Sequence, residues 1–254
     1  MTEQTQFPAE EVTLPSKGLL YPKDSPLNKG VIEMKYMTAK EEDILTNANY
    51  IKNGVAIDKL LESLITTPVS FDDLLIGDKN AIMIAARILG YGAEYEVKMT
   101  HPETGIETDG VIDLSKVNDK ILDENLTIDG ENEFEFILPT SKVAVTFKLL
   151  TNSDEKKIDN EVKGLKKLNK PSSEGTITLK HTIKSVNGDY TLKTVRDFVD
   201  KTLLARDARA LRKYINEIQP GIDLKVEVEF KDGYIMSDVN LPITINFFWP
   251  DAGV

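Results

Sequence analysis

Segments with a two-residue apolar period and segments with a period of three to four follow one another in clusters, not in strict alternation. That order points to an α+β chain with antiparallel strands. Val31 to Met37 places Ile32, Met34 and Tyr36 on one face and Glu33 and Lys35 on the other, which predicts a strand. Thr38, three residues before Glu41, forms a capping box and predicts a helix over about 40–50. The acidic trio Glu41, Glu42 and Asp43 falls in its first turn, where the helix dipole favours anions. A second helix is predicted over Val55 to Thr66, on the stripe of Leu60, Leu61, Leu64 and Ile65, with Pro68 behind it. A third starts at Asp78 as N-cap and stops at Gly90; it is apolar nearly all round and should be buried.

Hairpins follow, Glu94 to Met99 with Val111 to Leu114 and Phe134 to Leu138 with Lys142 to Leu149. A helix over about 153–169 buries Ile158, Val162, Leu165 and Leu168. Thr176 to Val186 reads as a strand with Ile177, Leu179, His181 and Ile183 on one face, ending at the tight-turn signal Asn187-Gly188. Two helices over about 192–204 and 207–218, the latter capped by Asp207, precede closing strands at Leu224 to Phe230 and Leu241 to Phe248.

Residues 1–30 are different. Pro8, Pro15, Pro22 and Pro26, with Gly18 and Gly30, forbid a helix interior and a central strand alike, so an extended arm is expected. Leu14, Leu19, Leu20 and Tyr21 let it bury against its own domain or against a neighbour. The expected organisation is therefore an arm (1–30), a mainly helical α+β part with hairpins (31–130), and a second α+β subdomain with antiparallel strands (131–254).

Charge is unevenly placed in this chain of net charge -11. Residues 101–140 hold 2 basic and 11 acidic residues, whereas 141–220 hold 17 and 10. A net anion is a poor nucleic-acid binder. The basic block either stays solvated or docks on an acidic surface of a copy or a partner. The absence of cysteine excludes disulfides, a thiolate nucleophile and Cys-ligated metals. No apolar run approaches the roughly 18 residues of a membrane span, and the opening residues are polar instead of signal-like.

No residue set assembles a catalytic site. His101 and His181 stand 80 residues apart without a metal-ligand spacing, and both read as structural histidines. Gly90-Tyr91-Gly92 follows a helix and lacks the third glycine of a dinucleotide motif; Ser16-Lys17-Gly18 lacks the upstream half of a phosphate loop; no G-x-S-x-G elbow occurs. Neither cofactor nor metal is expected.

What stands out is suited to contact. Arg206, Arg209 and Lys213 share one side of a helix whose other side carries Leu211, Tyr214, Ile215 and Ile218. Arginines so placed can capture carboxylates bidentately, or stay solvated. At the C-terminus, strand alternation would put Phe247 inward and leave Phe248, with the single Trp249, at the rim, as a core plug or a partner anchor. The candidate interface residues are Leu19, Leu20, Tyr21, Arg206, Arg209, Arg212, Phe248 and Trp249.

The chain resembles the baseplate hub family of T-even-type contractile-tailed phages. The likeness rests on Leu14-Pro15-Ser16-Lys17-Gly18 with Tyr21, on Met37-Thr38-Ala39 before Glu42-Asp43-Ile44-Leu45, and on Asp73-Leu74-Leu75-Ile76-Gly77-Asp78 leading through Arg87 to Gly90-Tyr91-Gly92 and Tyr95. It continues through Asp113-Leu114-Ser115, Ala205-Arg206-Asp207 with Leu211-Arg212, and Phe247-Phe248-Trp249-Pro250. Some members of that family carry a cysteine pair in the loop after the Tyr95-type strand. Here that loop is His101-Pro102-Glu103-Thr104-Gly105, so no metal role carries over.

The resemblance implies a non-enzymatic virion protein, made in the host cytoplasm, that helps build the tail baseplate. Its implied partners are other tail proteins such as hub components and the tape measure, with a homo-oligomer possible and neither nucleic acid nor membrane bound. The alternative it leaves open is a transient assembly chaperone absent from the finished particle.

Overall fold

The computed structural model describes residues 8–126, 130–169, 173–241, 243 and 245–248. Its first strand, β1 (Ala9–Thr13), pairs antiparallel with β2 (Val31–Lys35), Ala9 opposite Lys35 and Thr13 opposite Val31. Between them the proline-rich segment coils into tight turns instead of extending. Leu14, Leu20, Tyr21 and Leu27 are all buried, and Leu19 is half-buried against the core. A short 3-10 helix starts at Pro26 (Pro26–Lys29), and turns built on Gly18 and Gly30 fold the segment back on itself. A Cβ on Gly18 (φ 79°) would lie 2.4 Å from the Asn28 carbonyl oxygen, so only glycine closes this loop.

Four helices follow: α1 (Ala39–Leu45), α2 (Ala48–Asn53), α3 (Ala56–Leu64) and α4 (Ile76–Tyr91). The Thr38/Glu41 capping box is present. The expected helix over 40–50 divides in two because the Asn47 carboxamide oxygen accepts the N–H groups of Asn49 and Tyr50 and caps α2. Helix α4 starts two residues before Asp78, with Leu75 at the cap, and closes on Gly92 instead of Gly90.

Next come β3 (Glu94–Thr100), β4 (Glu107–Asp113), β5 (Asp119–Lys120), β6 (Phe134–Ile137) and β7 (Ala144–Phe147). Helices α5 (Asn152–Lys167) and α6 (Glu174–Thr182) lead to β8 (Ile183–Val186), then α7 (Leu192–Lys201) and α8 (Ala205–Ile218). The chain closes with β9 (Gly221–Ile222), β10 (Lys225–Phe230), β11 (Ile235–Asn240) and a single helical turn, α9 (Ile245–Phe248). The sheets run β11-β10-β4-β3, β6-β7-β8, β1-β2 and β5-β9, with every pairing antiparallel. The fold class is α+β.

Two expectations change. Residues 174–182 form a helix, not a strand, because α6 is buried on two sides. Ile177 packs with Ile158 and Val162 of α5, while Leu179 enters the main core, so burial at every second residue imitates a strand period. The Thr178 and Thr182 hydroxyls donate to carbonyls four residues back, which accommodates threonine in a helix. Likewise, Ile245–Phe248 forms a helical turn, not a strand. In α9, Phe247 and Phe248 are both fully buried, their rings 5.0 Å apart at 87°, and Phe247 meets Tyr95 edge-on at 5.0 Å.

One apolar core runs from Leu14 to Phe248, and β10 pairs with β4 across the expected 130/131 boundary.

Candidate functional site

Two buried aspartates organise the molecule. Each is the third residue of a helix whose N-cap is a leucine with no capping side chain, Leu75 before α4 and Leu204 before α8. Freed from capping its own helix, each carboxylate reaches another segment. Asp78 Oδ1 accepts the Ser16 N–H at 3.0 Å; its Oδ2 accepts the hydroxyls of Ser16 at 2.7 Å and Tyr21 at 2.6 Å. The Tyr21 oxygen in turn accepts the Leu75 N–H at 2.9 Å. Burial pushes the Asp78 carboxyl above its ordinary range against the pull of these donors, and burial beside Asp78 pushes the Tyr21 hydroxyl up as well.

Asp207 works the same way on the 138–143 hairpin turn, accepting the N–H groups of Thr140 at 2.7 Å and Ser141 at 2.9 Å. Burial alone would raise its carboxyl, but the Thr140 and Ser141 donors outweigh it and hold it at about 2. Neither aspartate caps a helix in the way the sequence suggested. The available signal was an aspartate three residues after a leucine that cannot cap.

The other residues of the resemblance also serve architecture. A Cβ on Gly77 would lie 1.9 Å from the Pro220 carbonyl oxygen, so α4 and the segment after α8 meet backbone to backbone. Buried Arg87 donates to the carbonyls of Gly92 at 2.9 Å and Glu94 at 3.1 Å, and its guanidinium lies over the rings of Tyr91 and Tyr95. These contacts fix the turn from α4 into β3.

The histidines have structural settings too. His101 is buried between Phe230 and Tyr234, each ring 4.8 Å away, and its Nδ1 accepts the Glu103 N–H at 3.2 Å. His181 lies in the last turn of α6, not on a strand face, with Nε2 3.0 Å from Glu161. Among the described residues no group of three or more His, Cys, Asp or Glu is placed to hold a metal ion.

Of the sequence-derived interface residues that the structure describes, the arginines alone are exposed. Arg206, Arg209 and Arg212 project from α8 and carry no ion pair among the described residues. Arg209 and Arg212 border a shallow concavity with Lys120 and Lys213. On the opposite side of α8, Leu211 and Ile218 are buried, and Tyr214 stacks on Phe136 at 4.9 Å and 22°, which anchors the helix. Leu20, Tyr21 and Phe248 are core residues, Leu19 is half-buried, and Trp249 lies outside the described residues.

A structural core held by long-range polar clamps, with a charged helix outermost, is the setting in which the chain's relatives can be judged. The family model described as "T4 bacteriophage base plate protein" matches residues 12–249. The chain belongs to that family. The matched span takes in both aspartate clamps, the arginine side of α8 and α9. As a base plate protein it is a structural component of the phage tail, in contact with other tail proteins. No curated protein and no solved structure matches it. No helix among the described residues is long and apolar enough to cross a membrane.

Proposed function

We propose that this base plate protein is a non-enzymatic component of the baseplate hub. In this reading it is made in the host cytoplasm and retained in the virion. It takes part in baseplate and tail assembly by docking the arginine side of α8 onto carboxylates of a neighbouring tail protein. The observation that carries this is the trio Arg206, Arg209 and Arg212, exposed without counter-charges among the described residues on a helix pinned by Asp207. Rigid presentation lowers the ordering cost of binding, and planar guanidinium groups match carboxylates two bonds at a time. In support of a non-catalytic role, the strongly shifted carboxyls of Asp78 and Asp207 are engaged in holding chain segments together.

Pull-down from infected cells tests the reading. Wild type should bring down hub or tape-measure proteins, and Arg206→Ala/Arg209→Ala/Arg212→Ala should lose them while remaining folded. Equal recovery by both proteins would rule out α8 as the contact.

A further inference from the structure

The outward face of the β11-β10-β4-β3 sheet is the counterpart of that helix. Cross-strand register aligns Glu96, Val111, Glu229 and Ile235 in one row over four strands, all on the side opposite the buried Tyr95, Ile112, Val228 and Phe230. Val111 is 37% and Ile235 53% exposed, so the row presents two apolar side chains with a carboxylate on either side of Val111. Glu94 and Glu227 lie on the same face, and a depression of about 440 Å³ is bordered by Glu94, Val111, Glu227, Glu229 and Ile235, with Lys116 and Lys225, paired to Asp113 and Asp238, at its edge. Asp109 pairs with Lys231 at 2.6 Å and Asp113 with Lys116 at 3.4 Å. Glu94, Glu96, Glu227 and Glu229 have no ion pair among the described residues.

We propose that this acidic sheet face receives the arginine side of α8 from a second copy of the chain. The inference rests on the reading of α8 as a contact surface and names its partner. The dimensions agree. Helix α8, 14 residues long, extends about 21 Å, enough to cross the roughly 14 Å between the outer strands of the four-stranded sheet. Arg206 and Arg212 are separated by about 9 Å along the helix axis, and Glu96 and Glu229, two strand spacings apart, by about 9.6 Å. A helix laid across the strands therefore sets the outer arginines over the two glutamates and Arg209 over Val111. Each copy carries one helix and one sheet face, so the contact is head-to-tail and propagates into a ring or a chain.

Salt separates this contact from general behaviour. A chain of net charge -11 repels its copies, so screening should favour non-specific association. A contact made by unpaired arginines and glutamates must instead weaken as salt rises.

Sedimentation of the purified full chain tests this. Wild type should self-associate at about 0.1 M ionic strength and become monomeric near 1 M. Arg206→Glu/Arg209→Glu/Arg212→Glu should weaken association by roughly a hundredfold or more, and Glu96→Lys/Glu229→Lys likewise. Mixing the two variants should restore association that neither shows alone, because the intact helix of one meets the intact sheet of the other and the reversed helix meets the reversed sheet. One chain bearing both sets of reversals should self-associate again. Wild type monomeric at all salt concentrations, or a doubly reversed chain that stays monomeric, would overturn the inference. If monomeric wild type still captures tail proteins through its arginines, the copy-to-copy contact alone fails and the hub reading stands.

Discussion

Removing one oxygen atom tests whether the proline-rich segment is part of the core. Tyr21→Phe keeps the ring, so it opens no cavity of consequence, but it deletes the donor to Asp78 Oδ2 and the acceptor of the Leu75 N–H. A hydrogen bond to a carboxylate contributes about 1.5–3 kcal/mol, and a buried N–H left without a partner costs about 1–3 kcal/mol. Leu75 is buried, so water does not replace the lost acceptor. The sum is about 4 kcal/mol, a large share of the roughly 5–15 kcal/mol that separates folded from unfolded domains. Urea titration should show the midpoint falling with the slope unchanged, and the thermal midpoint should drop by roughly 10 °C. A loss below about 1 kcal/mol would mean that the segment adds little to the fold, and would refute the clamp.

Two further outcomes follow from the same packing. Phe248→Ala should destabilise the isolated chain by about 3–5 kcal/mol, as much as Phe247→Ala, because both rings are fully buried; a thermal midpoint near wild type for Phe248→Ala would return that ring to the surface. Asp207, held at about 2 when folded against an ordinary value near 4, contributes stability above about pH 4 that is lost as pH falls towards 2. The stability gap between wild type and Asp207→Asn should therefore narrow over that interval, and a gap that stays constant with pH would contradict the clamp on Thr140 and Ser141.

Local signals were legible in the sequence where one neighbour decides the structure. The Thr38/Glu41 box, the Leu60, Leu61 and Leu64 stripe and the Glu94 to Met99 alternation all read correctly because each reflects a single buried face or a single turn. Residues 174–182 misled because two cores flank one helix. Phe248 misled because a helical turn sends consecutive side chains into the same core, where a strand would have split them. The clamps were illegible for a different reason. Ser16 and Asp78 are 62 residues apart, and Thr140 and Asp207 are 67 apart, distances over which no local period carries information. Of the proposed contact residues, the arginines were legible because polar exposure on an amphipathic helix is itself a local pattern. The acidic row on the sheet was not, since it needs the cross-strand register that joins residues 94–113 to 225–240.

The most direct test of a retained hub component is quantitative mass spectrometry of purified virions and of isolated baseplates. The account predicts peptides of this chain in both, at a fixed ratio to other baseplate proteins and undiminished by repeated purification. Abundant protein in infected cells with none in finished particles would contradict it and show an assembly factor that leaves.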